Sequence, residues 1–185
     1  MAIDQLPIET RSLLIRHFVL EDAAAVLILG NERTYRAWLP SQVYRDHAQV
    51  FSVLESFMSH YLDPGHPLLG PYVLAIERRT DGALLGHVGF SPLDGDVEIG
   101  FSIAENHQRQ GFATEAIVAE TRWAFQAFEL DRIIGVTSAA NVASRRALAR
   151  ARFAHQGDRV MMFQGTEQDV SVYVLARDSG DESGA

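Results

Sequence analysis

Residues 104–116, AENHQRQGFATEA, set one glycine between an amide-rich basic run and the Thr114-Glu115-Ala116 that begins a long helical pattern. Glycine at such a junction reaches backbone conformations closed to other residues, and the first turn of a helix points unpaired N–H groups at whatever lies ahead of it. The two properties together describe an anion site. A Walker loop needs Gly-Lys-Ser/Thr, and a dinucleotide fingerprint needs three glycines at fixed spacing; neither is present. What remains, from Gln108 through Arg109, Gln110, Gly111, Phe112 and Ala113 to Thr114, is one glycine and one alanine spaced so that successive amides line a concave turn at a helix start.

Upstream of this junction, YVLAIER (72–78), ALLGHVGFS (83–91) and DVEIGFSI (96–103) are short β-rich runs separated by the turn chemistry of RTDG and PLDGD, which predicts three antiparallel strands. In the last run Val97, Ile99, Phe101 and Ile103 alternate with Glu98, Gly100 and Ser102, so one face is apolar and Glu98 shares the other with Ser102. Downstream, residues 114–128 carry Ile117, Thr121, Ala124, Phe125 and Phe128 at helical spacing, a face suited to packing on a sheet. RIIGVTS (132–138) then reads as a buried strand, NVASRRALARARF (141–153) as a short basic helix, and 158–177 as a closing hairpin around QGTEQD.

The N-terminal third reads as strand, helix, helix. RSLLIRHF (11–18) has a strand-like apolar centre, LEDAAAVLILG (20–30) is a helix with acidic residues in its first turn and Gly30 as its stop, and HAQVFSVLESFMSHYL (47–62) is a helix ended by DPGHP. Between the two helices NERTYRAWLPSQ (31–42) is an irregular aromatic stretch. The expected organisation is one α/β (α+β) domain over residues 1–177 and an acidic polar tail over 178–185, with no internal repeat.

Composition narrows the function classes. With 185 residues, 47% hydrophobic and 22% charged, the chain supports a core without disulfides or metals, and the absence of cysteine excludes thiolate nucleophiles and cysteine-based zinc sites. A formal net charge of -8 argues against general nucleic-acid binding. No apolar run has the length of a membrane span, and the opening residues lack a basic region followed by an apolar one, so no membrane association and a cytoplasmic location are expected. The seven histidines form no His-x-His or His-x-x-x-His pair, which argues against a metal hydrolase.

The string Gln108-Arg109-Gln110-Gly111-Phe112-Ala113 resembles the pyrophosphate loop of the GNAT superfamily of acyl-CoA N-acyltransferases: Gln or Arg, two residues, Gly, one residue, then Gly or Ala. IETRSLLIRHFVLEDAAAV (8–26) is similar to the opening of its ribosomal-protein alanine N-acetyltransferase (RimJ/RimL) branch, and GHVGF, VEIGFSI, QGFATEAI, RIIGVTSAANVASRRAL and YVLAR follow in the family's order. The likeness covers residues 8–177. It implies the GNAT fold, a mixed, mostly antiparallel twisted sheet with a splayed central strand pair and flanking helices. It also implies an acetyl-CoA-dependent N-acetyltransferase that transfers directly to a primary amine, at a protein N-terminus or on a small molecule, through a ternary complex.

Residue by residue, the resemblance implies that amides from Arg109 to Thr114, after Gln108, hold the pyrophosphate of coenzyme A. The backbone from Phe101 to Ile103 would pair with the pantetheine arm. Asn141 matches an asparagine that contacts that arm, and Ser144 this branch's serine near the thioester sulfur; Arg145 and Arg146 follow where the 3′-phosphate end would lie. The residues also admit plainer readings: Gly111 as a helix-start glycine, Asn141 as an N-cap, Ser144 as a first-turn serine, Arg145 and Arg146 as solvated charges.

Amide formation from a thioester needs a neutral amine, donors for the developing oxyanion and an acid for the thiolate. Glu98 is the candidate base, with a solvent-facing strand residue as the alternative. The tyrosine many relatives carry seven residues after the asparagine is Leu148 here, which leaves Ser144 to donate to, or position, the sulfur. Ala151-Arg152-Phe153 replaces the usual glycine before the phenylalanine. The family builds its acceptor site from the early irregular segment, which makes Tyr35 and Trp38, with Tyr44, candidate substrate-binding residues. Asp94, Asp96, Glu98 and Glu105 lie in a window without Lys or Arg, compatible with a cationic amine. The competing reading is a degenerate acyl-CoA-binding sensor or interaction module. The fold would permit a homodimer through the closing hairpin.

Overall fold

The alternating runs pair into one sheet in a computed structural model that describes residues 6–62 and 66–177. The N-terminal part holds β1 (Ile8–Glu9), β2 (Leu13–Arg16), α1 (Ala23–Gly30), α2 (Arg33–Trp38) and α3 (His47–Leu62). The middle holds β3 (Tyr72–Arg78), β4 (Leu84–Leu93) and β5 (Asp96–Ile103), and then α4 (Phe112–Ala127). β6 (Arg132–Ser138), α5 (Val142–Arg150), β7 (Ala154–Phe163) and β8 (Thr166–Ala176) complete the described chain. The strand order is β1-β2-β3-β4-β5-β6-β8-β7, antiparallel throughout except for the parallel β5–β6 pair.

Local chemistry fixes the hairpins. Asp94 and Gly95 take φ of 49° and 86° between β4 and β5, and Gln164 and Gly165 take 51° and 83° between β7 and β8. Two successive left-handed residues make the turn whose twist matches the flanking strands. Opposite faces of the sheet are then covered by different helices. On one, α4 and α5 bring Ile117, Ala124 and Leu148 onto Ile76, Val88, Phe90, Val97 and Ile99. On the other, α1 and α3 bring Ala23, Val50 and Leu54 onto Ala75, with Phe18 and Tyr44. Each large apolar side chain so buried contributes about 1.5–3 kcal/mol.

Several details depart from the sequence expectation. The stretch after Gly30 is not irregular: it forms α2 and a 3₁₀ turn at Pro40–Gln42. The cause is remote, because the Glu105 carboxylate accepts the Thr34 N–H at 2.7 Å and satisfies a first-turn amide that nothing local caps. The buried face of α4 includes Glu120 and Trp123, whereas Phe125 is half-buried. The expected acidic tail and residues 63–65 of the expected helix stop lie outside the described residues. No helix of the described residues is long and apolar enough to cross a membrane.

Candidate active site

β5 and β6 run parallel, so both end at the same edge of the sheet, and each feeds a helix there: β5 leads to α4 and β6 to α5. The two strands are paired only at Glu98 and Ile134. Beyond that point β5 continues through Ile103 and β6 through Ser138 with no pairing between them, leaving a V-shaped gap flanked by two helix starts. Ala104 donates to the Leu85 carbonyl at 2.7 Å, and Ile103 lies opposite Gly86. Strand alternation from that bond turns the backbone groups of Gly100 and Ser102 toward β4, and those of Phe101 and Ile103 into the gap. The Ile103 carbonyl accepts from Gln108 Nε2 at 2.9 Å; Phe101 has no strand partner on that side.

The loop from Gln108 to Thr114 is built to leave amides free. Arg109 (φ 63°) and Gly111 (φ 91°, ψ -8°) both take the left-handed conformation, and Gly111 is the N-cap of α4. The first helical bond runs from the Glu115 N–H to the Gly111 carbonyl at 3.0 Å. Among the described residues, none of the six amides from Arg109 to Thr114 donates to a protein acceptor. The Glu115 carboxylate accepts from the Thr10 hydroxyl and the Ser12 N–H, both at 2.7 Å, and so ties the helix start to the turn between β1 and β2. The side chain of Gln108 spans Ile103 and Thr34, the latter at 3.4 Å, which fixes the entry to the loop.

Glu98 stands at the vertex of the gap, opposite Ser91 on β4 and beside Ile134 on β6. Its side chain is half-buried, and desolvation pushes its pKa up to about 7. Its face of the sheet, shared with Ser91, His87, Gly100 and Ser102, is partly covered by the α1–α3 layer, which leaves a chamber of about 100 Å³ that reaches the exposed Gly100. Tyr35 and Tyr44 line it, and Trp38 sits half-buried at the end of α2, outside the lining. The Tyr35 hydroxyl meets His87 Nδ1 at 3.2 Å, and burial pushes His87 down to about 4, so its ring is neutral at pH 7. The sequence reading passed over His87; its place between Gly86 and Gly89 in GHVGF was the available signal.

Across the gap, Asn141 is the N-cap of α5, and its Oδ1 accepts the Ser144 N–H at 3.1 Å. The Ser144 hydroxyl is half-buried and bonds no protein group among the described residues. Leu148 is buried, its side chain filling the space above Gly135. Arg145 turns inward to the Tyr173 hydroxyl at 3.4 Å and the Ala139 carbonyl at 3.2 Å. Of the acidic window, Asp96 holds Arg132 at 2.6 Å and Glu105 is committed to Thr34, whereas Asp94 and Glu98 have no side-chain partner among the described residues.

The site thus combines six unpartnered amides at a helix start, an unpaired strand edge beside them and a half-buried carboxylate at the strand vertex. The sequence profile of the acetyltransferase (GNAT) domain matches residues 12–154. The uncharacterized N-acetyltransferase YoaA of Bacillus subtilis (strain 168) is 30% identical over 175 residues, 92% of this chain and 96% of that protein. Among solved structures, an acetyltransferase of the GNAT family from Bacillus anthracis superposes with a TM-score of 0.77 at 21% identity, over 91% of this chain and 97% of that one. RimL, a ribosomal L7/L12 alpha-N-protein acetyltransferase in complex with coenzyme A, superposes with a TM-score of 0.77 at 17% identity, over 95% and 99%. The chain belongs to the GNAT family of N-acetyltransferases.

Proposed function

We propose that this N-acetyltransferase moves the acetyl group of acetyl-CoA directly to a primary amine in a ternary complex. The observation that carries this reading is the row of six unpartnered amides from Arg109 to Thr114 beside the unpaired edge of β5. Amides aimed outward from a helix N-terminus bind the pyrophosphate through hydrogen bonds and the helix dipole. The backbone of Phe101, with the Ile103 N–H, takes the amides of the pantetheine arm as an added strand would. The thioester is thereby laid along the gap toward Glu98.

The acceptor arrives as an ammonium ion. Glu98, with a pKa of about 7, takes one proton, directly or through a water. The neutral nitrogen bonds to the thioester carbonyl carbon, the C–S bond breaks, and the nitrogen's second proton goes to the departing thiolate. Ser144, with an uncommitted hydroxyl at the first turn of α5, donates a hydrogen bond to the sulfur. That RimL is a protein N-terminal acetyltransferase supports a chain terminus as one form of acceptor.

Thiol release from acetyl-CoA tests this, and the absence of cysteine removes any protein background. Glu98→Gln is expected to lower kcat by about 10²–10⁴ while leaving the acetyl-CoA Kd unchanged. It also removes the rise of kcat/KM with pH near 7 that ionisation of Glu98 gives the parent. Near-normal turnover of the variant across the pH range would exclude Glu98 as the base. Acetyl-CoA binding without release on any amine would favour a binding module over an enzyme.

A further inference from the structure

The chamber beside Glu98 selects its occupant by charge and by size. None of its lining residues is Asp, Glu, Lys or Arg. The walls are apolar and aromatic, among them Leu29, Tyr35, Tyr44 and Phe57. An ammonium group placed there, beyond the one that Glu98 deprotonates, would be desolvated without a counter-charge of its own. The volume of about 100 Å³ is somewhat below the roughly 150 Å³ of an apolar cavity that holds benzene.

The floor is shaped by two opposed glycines, Gly89 and Gly100, which have different causes. A Cβ on Gly89 would lie 2.6 Å from the Tyr72 carbonyl and from Val73 Cα, so close approach of β3 forces glycine there. A Cβ on Gly100 would meet nothing within 4 Å, and its φ lies outside the left-handed region. Neither backbone nor packing asks for glycine at 100, and a strand glycine weakens a sheet relative to alanine. What the missing side chain does provide is free space next to Glu98, two residues along the same face. Of the polar residues that line the chamber, Gln42, Tyr44, Ser91 and His87 among them, His87 is held in place by Tyr35 at its Nδ1, and its Nε2 has no protein partner among the described residues.

We propose that the acceptor is a monoamine carried on a compact apolar group, branched aliphatic up to a single phenyl ring, which lies over Gly100 and makes one hydrogen bond at His87 Nε2. This rests on the acetyltransferase reading above and names the substrate class within it. A free amine and the N-terminal residue of a peptide supply the same chemistry. Polyamines and aminoglycosides, which carry further ammonium groups, are rejected.

The test is thiol release from acetyl-CoA with isoamylamine, phenethylamine and dipeptide amides beginning with Leu or Phe, set against putrescine, spermidine, kanamycin and dipeptide amides beginning with Glu. The apolar amines are expected to exceed the polycations in kcat/KM by about ten-fold or more, the scale set by apolar pocket contacts. Comparison of the free-amine and peptide arms identifies the source of the amine. Gly100→Leu is expected to raise KM for isoamylamine by about ten-fold or more, with the acetyl-CoA Kd within two-fold. Gly100→Ala has an intermediate effect on KM and a higher melting temperature, which guards against a folding artefact. Preference for a polycation, or an unchanged isoamylamine KM in Gly100→Leu, overturns this inference and leaves the acetyltransferase reading standing. No thiol release on any amine by a protein that binds acetyl-CoA overturns both.

Discussion

Two helix starts flank the gap between β5 and β6, and they are finished in opposite ways. At α5 the turn largely closes on protein: Ala139 donates to the Asp169 carbonyl, Asn141 to the Ser138 carbonyl, Val142 to the Ala140 carbonyl, and the Ser144 N–H to Asn141 Oδ1, so of the six amides from Ala139 to Ser144 two, Ala140 and Ala143, are left without a protein acceptor among the described residues. At α4 the corresponding row, six amides from Arg109 to Thr114, is left open. Satisfying helix-start amides is the default, and α5 shows that this sequence does so when nothing else is required. Leaving six of them free at the neighbouring junction is an arrangement that an anion completes. In the reaction proposed above the two starts divide the work: α4 would meet the charged end of the cosubstrate, and α5 would present a cap and a free serine hydroxyl near its reactive end.

The largest expected effect follows from closing the open junction. Gly111 sits at φ 91°, where an ordinary residue costs about 1–2 kcal/mol and a β-branched one more. Gly111→Val is expected to pull the loop out of the concave turn and raise the acetyl-CoA Kd by about 30-fold, equivalent to about 2 kcal/mol. Calorimetric titration alongside a thermal melt checks this. A Cβ there meets nothing within 4 Å, so the variant should remain folded. Unchanged affinity would mean that the turn is not the anion cradle.

How much of this arrangement the sequence revealed depended on distance along the chain. The hairpins were legible because Asp94-Gly95 and Gly165 act on their immediate neighbours. The α4 junction was legible for the same reason: glycine, helix start and preceding strand are contiguous. The segment after Gly30 was misread as irregular because its helix is completed by Glu105, 71 residues from Thr34. His87 was passed over because its neutral state and its aim are set by burial and by Tyr35, 52 residues away. Glu98 lies opposite the apolar face as its alternation predicts, yet that face is partly covered, and only the packing of α1 and α3 determines how far.

The bodies of the two helices differ as well, and this gives a second, pH-dependent contrast. α4 carries Glu120, fully buried, with neither carboxylate oxygen bonded to protein and Trp123 Nε1 similarly unpaired. Desolvation raises its pKa well above 4.5, so the group is buried as the neutral acid. Below pH 4.5 the folded and unfolded chains both hold this proton. As pH rises above 4.5 the unfolded chain releases it and the folded chain does not, so stability falls until the pH passes the folded-state value. Glu98 adds a loss of the same sign between 4.5 and about 7. Each group withdraws about 1.4 kcal/mol per pH unit within its window. Glu120→Gln is expected to remove one of the two contributions and lie increasingly above the parent in urea-unfolding stability from pH 5 upward. Parallel stability curves for the two proteins would show that Glu120 is ionised in the fold.

The smallest effect separates the two roles open to Asn141, and it depends on which atom of the amide each role uses. The cap uses Oδ1, which already accepts the Ser144 N–H at 3.1 Å. A contact that Asn141 donates to the cofactor arm uses Nδ2, which bonds no protein group among the described residues. Serine retains a capping oxygen and discards the amide donor, whereas alanine discards both. Asn141→Ala is expected to lower stability by about 1 kcal/mol and Asn141→Ser by far less. Both should weaken acetyl-CoA binding by the same several-fold factor, the equivalent of one neutral hydrogen bond at about 1 kcal/mol. If affinity instead follows stability, falling in the alanine variant and recovering in the serine one, Asn141 serves the cofactor only by holding α5 in place, and the two helix starts differ more than the resemblance implies.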